Sequence, residues 1–316
     1  MIRGIIDTWM VPMAGIAEIF IADATDRAAG VQRVCEDIDL SGFSGSEIAL
    51  KANFNSADPP PASTHIDTLN AICTTIVAEK PKKLTLAERS GMGNTRSVLE
   101  ECGVIALAYD RGFSVVVLDE LDRSGWREVQ SPGLHWSHGF FIADVFARAD
   151  RVVQTCCLKT HRFGGHFTMS LKNSVGLVAK RVPGVNYDFM GELHASPHQR
   201  QMIAEINKFY HTDLIVMDAT EGFATGGPDK GKIIHPEVII AGTDRVAIDA
   251  VGVALLRSYG TMRDVSEERI FEQEQIARAA HLGVGVASAA DIRLFPLDTA
   301  AESVAGRIQV QLDADR

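Results

Sequence analysis

The sequence predicts an α/β protein with a mostly parallel sheet and helices on both faces. Short apolar runs typical of strands alternate with segments of helical periodicity, and Gly, Pro and Asp turns separate them. Runs such as 214–217 are almost continuously aliphatic, as expected for strands that are buried on both faces of a parallel sheet. We expect one α/β unit over residues 1–316, with lobes at 1–150 and 151–316 and a cleft between them.

In the first half of the chain, aliphatic runs that end at loops or glycine turns predict strands at 47–51, 83–87 and 115–118. Ser63 or Thr64 is suited to cap a helix whose apolar residues recur on one face through Val77. Asn94 or Thr95 is suited to cap a second helix, which continues through Leu99.

The second half repeats this style without repeating the sequence. Val- and Ile-rich runs predict strands at 151–158, 213–217 and 237–240. Helical periodicity predicts helices at 140–149, 168–177, 195–209, 244–258 and 266–281. In sheets of this kind ligands bind where strands end and loops begin, so the residues after each strand are the candidates for chemistry.

Composition and charge exclude several classes of protein. The chain has 316 residues, 46% of them hydrophobic and 23% charged, which is ordinary for a globular protein with a large core. Its net charge is −10, so it has no general attraction for nucleic acid or an anionic membrane, and an anion needs a local basic cluster. The first twenty residues lack the pattern of a signal peptide, and no apolar stretch is long enough to span a membrane. We expect a cytoplasmic protein, and the sequence leaves a homo-oligomer open.

The five cysteines are scattered along the chain and form no Cys-x-x-Cys pair. We therefore expect neither a disulfide framework nor an iron–sulfur cluster held by this chain alone. Cys156 and Cys157 are adjacent within a predicted strand and should point to opposite faces. We interpret them as buried structural residues.

The densest group of reactive side chains follows the strand predicted at 151–158. It contains Lys159, His161, His166, Lys172 and Asn173. Cationic side chains and the backbone N–H groups at a helix start can together hold a carboxylate or phosphate. The two histidines add metal ligation or acid–base chemistry as alternatives. We expect the functional site here; the alternative is a solvated basic loop.

Polar residues also follow two strands of the first half. Lys51 and Asn53 follow one strand, and Glu88 and Ser90 follow the next. A lysine at the end of a buried strand needs a partner because its desolvation is costly. Lys51 should therefore pair with a carboxylate or a ligand.

A glycine-rich segment begins after the strand predicted at 213–217, with Asp218 and Glu221 at its start and Gly227 within it. Part of it matches the first seven positions of a phosphate-binding loop. Ile233 stands where that loop has Ser or Thr, and Pro228 removes an amide donor, so we reject this interpretation. A ligand-binding loop and a purely structural turn both remain open.

The order of these motifs resembles the bacterial and archaeal family called domain of unknown function 362. The resemblance covers residues 48–295 and rests on Leu-Lys-Ala-Asn at 50–53, Glu-Arg-Ser-Gly at 88–91, Leu-Lys-Thr-His at 158–161, Ser-Leu-Lys-Asn at 170–173, Leu-His at 193–194 and Asp-Ala-Thr-Glu-Gly at 218–222. It implies an α/β fold with a cleft rich in Lys, His and Asn, and it adds His194 to the site. Many relatives carry a ferredoxin-like cysteine segment, which this chain lacks. The layout is also similar to nickel-pincer lactate racemases, in which lysines and histidines between two lobes hold a metal cofactor and an α-hydroxy acid.

These observations lead to two hypotheses. The first is an enzyme that acts on a small anionic carboxylate or phosphate metabolite, with a divalent metal as an option. Its anion would be held by Lys51, Lys159 and Lys172; His161 and His166 would be metal ligands or acid–base groups; Asn173 and His194 would orient the substrate; Asp218 and Glu221 would be its carboxylates; and Asn53, Glu88, Ser90 and Gly227 would complete the binding site. The second is an accessory protein that delivers a metal, cluster or cofactor to a redox partner protein. A non-catalytic small-molecule sensor ranks third.

Overall fold

The computed structural model describes residues 15–130 and 132–315, so the expectation about the extreme N-terminus lies largely outside the described residues. The strands are β1 (Ala17–Asp23), β2 (Glu47–Lys51), β3 (Lys83–Glu88), β4 (Ser114–Val117), β5 (Trp126–Val129), β6 (Phe140–Ala143), β7 (Arg151–His161), β8 (His166–Phe167), β9 (Leu214–Gly226), β10 (Gly231–Ile234), β11 (Val238–Gly242) and β12 (Ile292–Pro296). The helices are α1 (Arg27–Glu36), α2 (Ile66–Ala78), α3 (Thr95–Glu101), α4 (Val104–Arg111), α5 (Asp144–Arg148), α6 (Ser170–Asn173), α7 (Phe189–Ala195), α8 (Gln199–Ile206), α9 (Arg245–Ser258), α10 (Arg263–Ser266), α11 (Glu274–His281) and α12 (Thr299–Asp313).

The main sheet has the strand order β12-β1-β11-β9-β7-β2-β3-β4. Its pairs are parallel from β9 through β7, β2 and β3 to β4. β11 is antiparallel to both of its neighbours, and β12 is parallel to β1. The predicted α/β class with a mostly parallel sheet is confirmed. β1 comes from the first half of the chain and lies between two strands of the second half; the division into lobes at residue 150 stays a prediction.

Helices cover both faces of this sheet, as predicted. Strand side chains alternate between the faces, and in β9 Val216 packs with α1 to α4 whereas Met217 packs with α9, α11 and α12. A third apolar cluster joins β5, β6, α7 and α8 over the β2–β3 end of the sheet. Cys156 and Cys157 are both buried within β7, as expected.

Several element boundaries differ from the predictions. The helix predicted at 140–149 is wrong in its first part, because the aromatic run of Phe140–Ala143 forms β6 and pairs with β5. The helix predicted at 266–281 is interrupted, and α11 begins at Glu274. β7 runs three residues beyond the predicted end at Leu158 and therefore carries Lys159 and His161 on a strand.

The parallel strands β2 and β3 end side by side, and β7 continues past them in the same direction, from Gln154 beside Lys51 to His161. α6 follows β7 through the hairpin formed with β8, and a 3-10 turn at Ser174–Leu177 continues it. This connection returns Lys172 and Asn173 over the ends of the three strands. No helix among the described residues is both long and apolar enough to cross a membrane.

Candidate functional site

A cavity of about 700 Å³ opens at the carboxyl ends of β2, β3 and β7. Eight of the residues predicted for the site line it: Lys51, Asn53, Glu88, Lys159, His161, Lys172, Asn173 and His194. They come from three strands, the loop after β2, α6 and α7. We call this space the cleft. The cleft therefore lies at the edge of the sheet where parallel α/β proteins commonly bind ligands.

The floor of the cleft is a continuous chain of hydrogen bonds. The Lys51 ammonium donates to the Glu88 carboxylate at 2.6 Å and to Asn173 Oδ1 at 3.1 Å. Asn53 Nδ2 donates to the same Asn173 oxygen at 3.4 Å, and Asn53 Oδ1 accepts from Lys159 Nζ at 2.7 Å. These five side chains tie the ends of β2, β3 and β7 to α6.

The two buried ammonium groups, of Lys51 and Lys159, donate different numbers of hydrogen bonds to the network. An ammonium has three N–H donors. Lys51 spends all three, because it also donates to the carbonyl of Ala52 at 2.6 Å. Lys159 spends two, on Asn53 and on the Ala62 carbonyl at 2.5 Å. Lys51 is thus a structural member of the floor, whereas one N–H of Lys159 has no partner among the described residues.

Burial governs the pKa of these groups. Loss of water lowers the pKa of Lys51 and raises the pKa of Glu88, and their mutual attraction opposes both shifts. Burial likewise lowers the pKa of Lys159. The sequence analysis expected a carboxylate or a ligand as the partner of Lys51, and the structure places Glu88 there.

Lys172 differs from the other two lysines because, within residues 15–130 and 132–315, its ammonium has no hydrogen-bond or ion-pair partner. Burial, with repulsion from Lys159 and Arg89, lowers the pKa of Lys172 to about 8. The side chain is half-buried and lines the cleft. A lysine in this state can bind an anion, and it can exchange a proton near neutral pH.

His161 presents a fixed donor. Its Nδ1 accepts the backbone N–H of Gly165 at 3.3 Å, so in the neutral ring the proton is on Nε2. Burial and the neighbouring Lys172 and Lys159 hold the pKa of His161 far below its usual range, which keeps the ring neutral. A Cβ on Gly165 would lie 2.8 Å from His161 Nδ1 and 2.9 Å from Lys172 Cε, so glycine is required there.

His194 has the opposite tautomer. Its Nδ1 donates to the carbonyl oxygen of Met190 at 2.7 Å, one turn earlier in α7, because a carbonyl can only accept. The Nε2 lone pair is therefore left for a ligand or a proton. The cleft thus combines an imidazole donor at His161 with an imidazole acceptor at His194.

The cleft is positively charged although the chain as a whole carries −10. Among the described residues that line it, six are basic and three are acidic. Glu88 neutralises Lys51, and at the rim Asp119 and Asp188 pair with Lys180 and Arg181. The uncompensated charge is concentrated on Lys159, Lys172 and Arg89, which favours an anion at the inner end of the cleft.

Two of the predicted carboxylates lie elsewhere. Asp218 accepts from Thr68 Oγ1 at 2.6 Å and pairs with Arg27 at 3.2 Å. Glu221 lies 3.7 Å from the same arginine. Both therefore connect β9 to α1 and α2 on the opposite face of the sheet. They do not line the cleft, because strand position alone does not determine which face of the sheet a side chain occupies.

Three further predicted residues do not line the cleft. His166 has a left-handed φ of 59°, which alters its side-chain direction, and Arg200 and Gln273 are its neighbours instead. Ser90 is fully buried and donates to the carbonyl of Phe54 at 2.7 Å. Gly227 packs so closely on Thr160 that a Cβ would lie 1.9 Å from its carbonyl oxygen. Ser90 and Gly227 therefore shape the loops around the cleft without facing it.

Several residues that line the cleft were not predicted from the sequence. Arg89 stands beside Glu88 and donates to the Val175 carbonyl at 2.6 Å, and its position next to a predicted residue was an available signal. Lys180 and Arg181 line the rim from a loop after α6, where no local pattern marks them. Met92 and Phe163 form the apolar part of the rim.

The residues present do not fit a divalent metal at His161 and His166. The rings do not share the cleft, and His161 Nδ1 is occupied by Gly165 N–H. Among the described residues no group of three or more His, Cys, Asp or Glu side chains is placed to hold a metal ion. The lysines of the cleft would also repel a cation.

Comparison with known proteins identifies the family. The family model described as Domain of unknown function (DUF362) matches residues 48–254, about two thirds of the chain. The chain belongs to this family. All the residues that form the DUF362 cleft floor lie within the matched region, and so do His161, Lys172 and His194.

No curated protein matches the DUF362 chain. Among solved structures it is similar to the lactate racemase apoprotein from Thermoanaerobacterium thermosaccharolyticum, with 10% sequence identity and a TM-score of 0.44. The match covers 94% of this chain and 87% of the racemase chain.

Proposed function

We propose that this protein is an enzyme that binds a carboxylate or phosphate metabolite in the cleft and transfers a proton to or from it. The observation that carries the proposal is the half-buried ammonium of Lys172, which faces a cavity and has no counter-ion among the residues that the structure describes. A charge in such a position is costly unless it is paired, and an anionic ligand would pair it.

The donors around this position support an anion with several oxygens. Lys172 offers three N–H groups, Lys159 offers the one that the floor leaves over, and His161 offers Nε2–H. Charge-assisted hydrogen bonds from ammonium groups to carboxylate or phosphate oxygens are among the strongest in proteins. The floor network holds Lys159, and α6 holds Lys172, so the donors are preorganised.

Two groups are suited to proton transfer. His194 keeps a free Nε2 lone pair while its Nδ1–H is fixed on Met190, the arrangement of an oriented general base. Lys172, with a pKa lowered to about 8, releases and regains a proton near neutral pH. A proton removed from the bound anion would pass to His194 Nε2, and Lys172 would stabilise the negative charge left behind.

Binding is tested by calorimetric titration with inorganic phosphate and with acetate. We expect Lys172→Gln to weaken binding at least about tenfold, because a charge-assisted hydrogen bond is lost. Lys232→Gln removes the same charge from an exposed position on β10, away from the cleft, and should leave binding unchanged. Equal affinities of wild type and Lys172→Gln would overturn the proposal.

Proton transfer is tested by incubating carboxylic acids and phosphate esters with the protein in D₂O and following loss of C–H signals by NMR. We expect His194→Gln to abolish the exchange while anion binding is retained. Binding without exchange in the wild type would refute the catalytic part. Stoichiometric metal that co-purifies with the wild type and is lost in His161→Ala would instead support delivery of a metal or cofactor.

A further inference from the structure

The mouth of the cleft carries two exposed apolar side chains. Met92 lies in the loop after β3 and is 49% exposed, and Phe163 lies in the turn between β7 and β8 and is 54% exposed. Single apolar residues on a surface are normal. Here two such residues from different loops line the same cavity, and Pro228 adds a third apolar surface.

The Phe163 ring is held in place by contacts with Arg162 and His161. The Arg162 guanidinium lies 4.3 Å from the centre of its ring and is itself fixed by Asp229 at 2.6 Å and the Gly227 carbonyl at 2.9 Å. The edge of the His161 ring packs against it, with the ring centres 5.8 Å apart. The exposed ring is therefore a fixed platform that costs little ordering when a ligand packs on it.

The inner end of the cleft has the opposite character. Lys172, Lys159 and His161 supply the free polar donors there, as described above. The cleft therefore has a cationic inner end and an apolar patch, formed by Met92, Phe163 and Pro228, on one part of its mouth.

The size of the cleft exceeds what a two- to four-carbon acid fills. A volume of about 700 Å³ lies within the range of cavities that enclose drug-sized ligands. It corresponds to the liquid volume of roughly twenty water molecules. A ligand that fills it extends from the lysines to the mouth.

We propose that the ligand is an elongated organic anion whose apolar end packs on Met92 and Phe163 while its anionic end is bound at Lys172. This inference rests on the proposed anion site and adds the class of ligand: an organic carboxylate or phosphate with an aliphatic or aromatic tail. Met92 and Phe163 are then specificity-determining residues, which select for the tail and leave the anionic end unaffected.

The test is a series of straight-chain carboxylates, from acetate through butanoate and hexanoate to octanoate, titrated by calorimetry. Each methylene buried at the mouth should raise affinity about fourfold, which corresponds to about 0.8 kcal/mol. We expect Met92→Ala and Phe163→Ala to flatten this dependence on chain length and to leave the affinity for acetate unchanged. Tyr109→Ala removes a more exposed ring outside the cleft and should leave the dependence as in the wild type.

The outcomes separate this inference from the proposed function. Equal affinity of the wild type for acetate and octanoate would overturn the inference that the ligand has an apolar tail. A dependence on chain length that persists in both Met92→Ala and Phe163→Ala would overturn it as well. In either case loss of acetate binding in Lys172→Gln would still support the anion site. Failure of every carboxylate to bind, or unchanged acetate binding in Lys172→Gln, would overturn the proposed anion site and, with it, the inference of an apolar tail.

Discussion

Substitution of Lys51 by methionine tests whether Lys51 stabilises the fold or binds the ligand. Methionine is close to lysine in length, so the change removes the charge and three hydrogen bonds with little loss of volume. Glu88 is fully buried and would lose its counter-ion. Breaking a buried ion pair in this way costs about 3–5 kcal/mol of the free energy of unfolding. At roughly 1.5 °C per kcal/mol for a chain of this size, Tm should fall by about 5–8 °C.

The assay is urea unfolding followed by far-ultraviolet circular dichroism, with Glu88→Gln and the double variant included. Removal of both charges leaves no isolated buried ion, so the double variant should be more stable than the two single losses predict, by about 1–3 kcal/mol. Lys82→Met is the matched control, because Lys82 pairs with Glu47 at the same 2.6 Å on the surface. Its effect should be much smaller, since exposed pairs contribute little.

A Lys51→Met variant as stable as the wild type would refute this reasoning. It would mean that the floor of the cleft tolerates an unpaired Glu88. Loss of anion binding without loss of stability would mean that Lys51 contacts the ligand directly, as the sequence analysis expected.

Three further predictions follow from the same geometry. Gly165→Ala should abolish anion binding in a folded protein, because the new Cβ would displace the His161 ring and the Lys172 stem; titration with phosphate measures it, and Gly306→Ala, whose Cβ would meet nothing within 4 Å, is the control. Histidine ¹⁵N spectra should show His161 neutral and protonated on Nε2 down to pH 5, because its pKa is strongly lowered, and a charged ring at that pH would contradict the assignment. Burial raises the pKa of Asp249 from 3.8 to about 7, so the folded state holds this proton more tightly than the unfolded state. The free energy of unfolding should therefore fall between pH 4 and pH 7, by up to roughly 4 kcal/mol from this group, and Asp249→Asn should reduce that slope in urea titrations; equal slopes would contradict the assignment.

Much of the fold was predictable because local sequence patterns mark several of its strands. The runs that became β2, β3, β7 and β9 are aliphatic and bounded by turns, and the caps of α2 and α3 fall within one or two residues of the predicted positions. β1 and β12 were missed; β12 is a short run of five residues with a charge in it, and β1, although mostly apolar over seven residues, pairs only with strands far along the chain. The run Phe140–Ala143 fits either a strand or a helix by periodicity, and pairing with β5 decides between them.

The lining of the cleft was predictable where a residue lies at or near the carboxyl end of a strand, as at Lys51, Glu88 and Lys159. A position at the end of a strand determines which edge of the sheet a residue reaches, but it does not determine which face its side chain occupies. Asp218 follows the same rule and lies on the other face with Arg27. Lys180 and Arg181 reach the cleft only because the chain returns over it, which no local pattern encodes.

The position of β1 has a consequence for how the chain folds. β1 pairs with β11 and β12, so residues 17–23 form their strand pairs with residues 238–242 and 292–296, more than 200 positions later in the chain. Contacts between such distant parts of a chain form slowly, because a long loop must close first. During synthesis one edge of β1 stays unpaired until β11 has left the ribosome and the other until β12 has left it, and an unpaired edge invites aggregation. We expect truncation before β12 to leave this edge open and to yield an aggregating product, which light scattering after dilution from urea would detect.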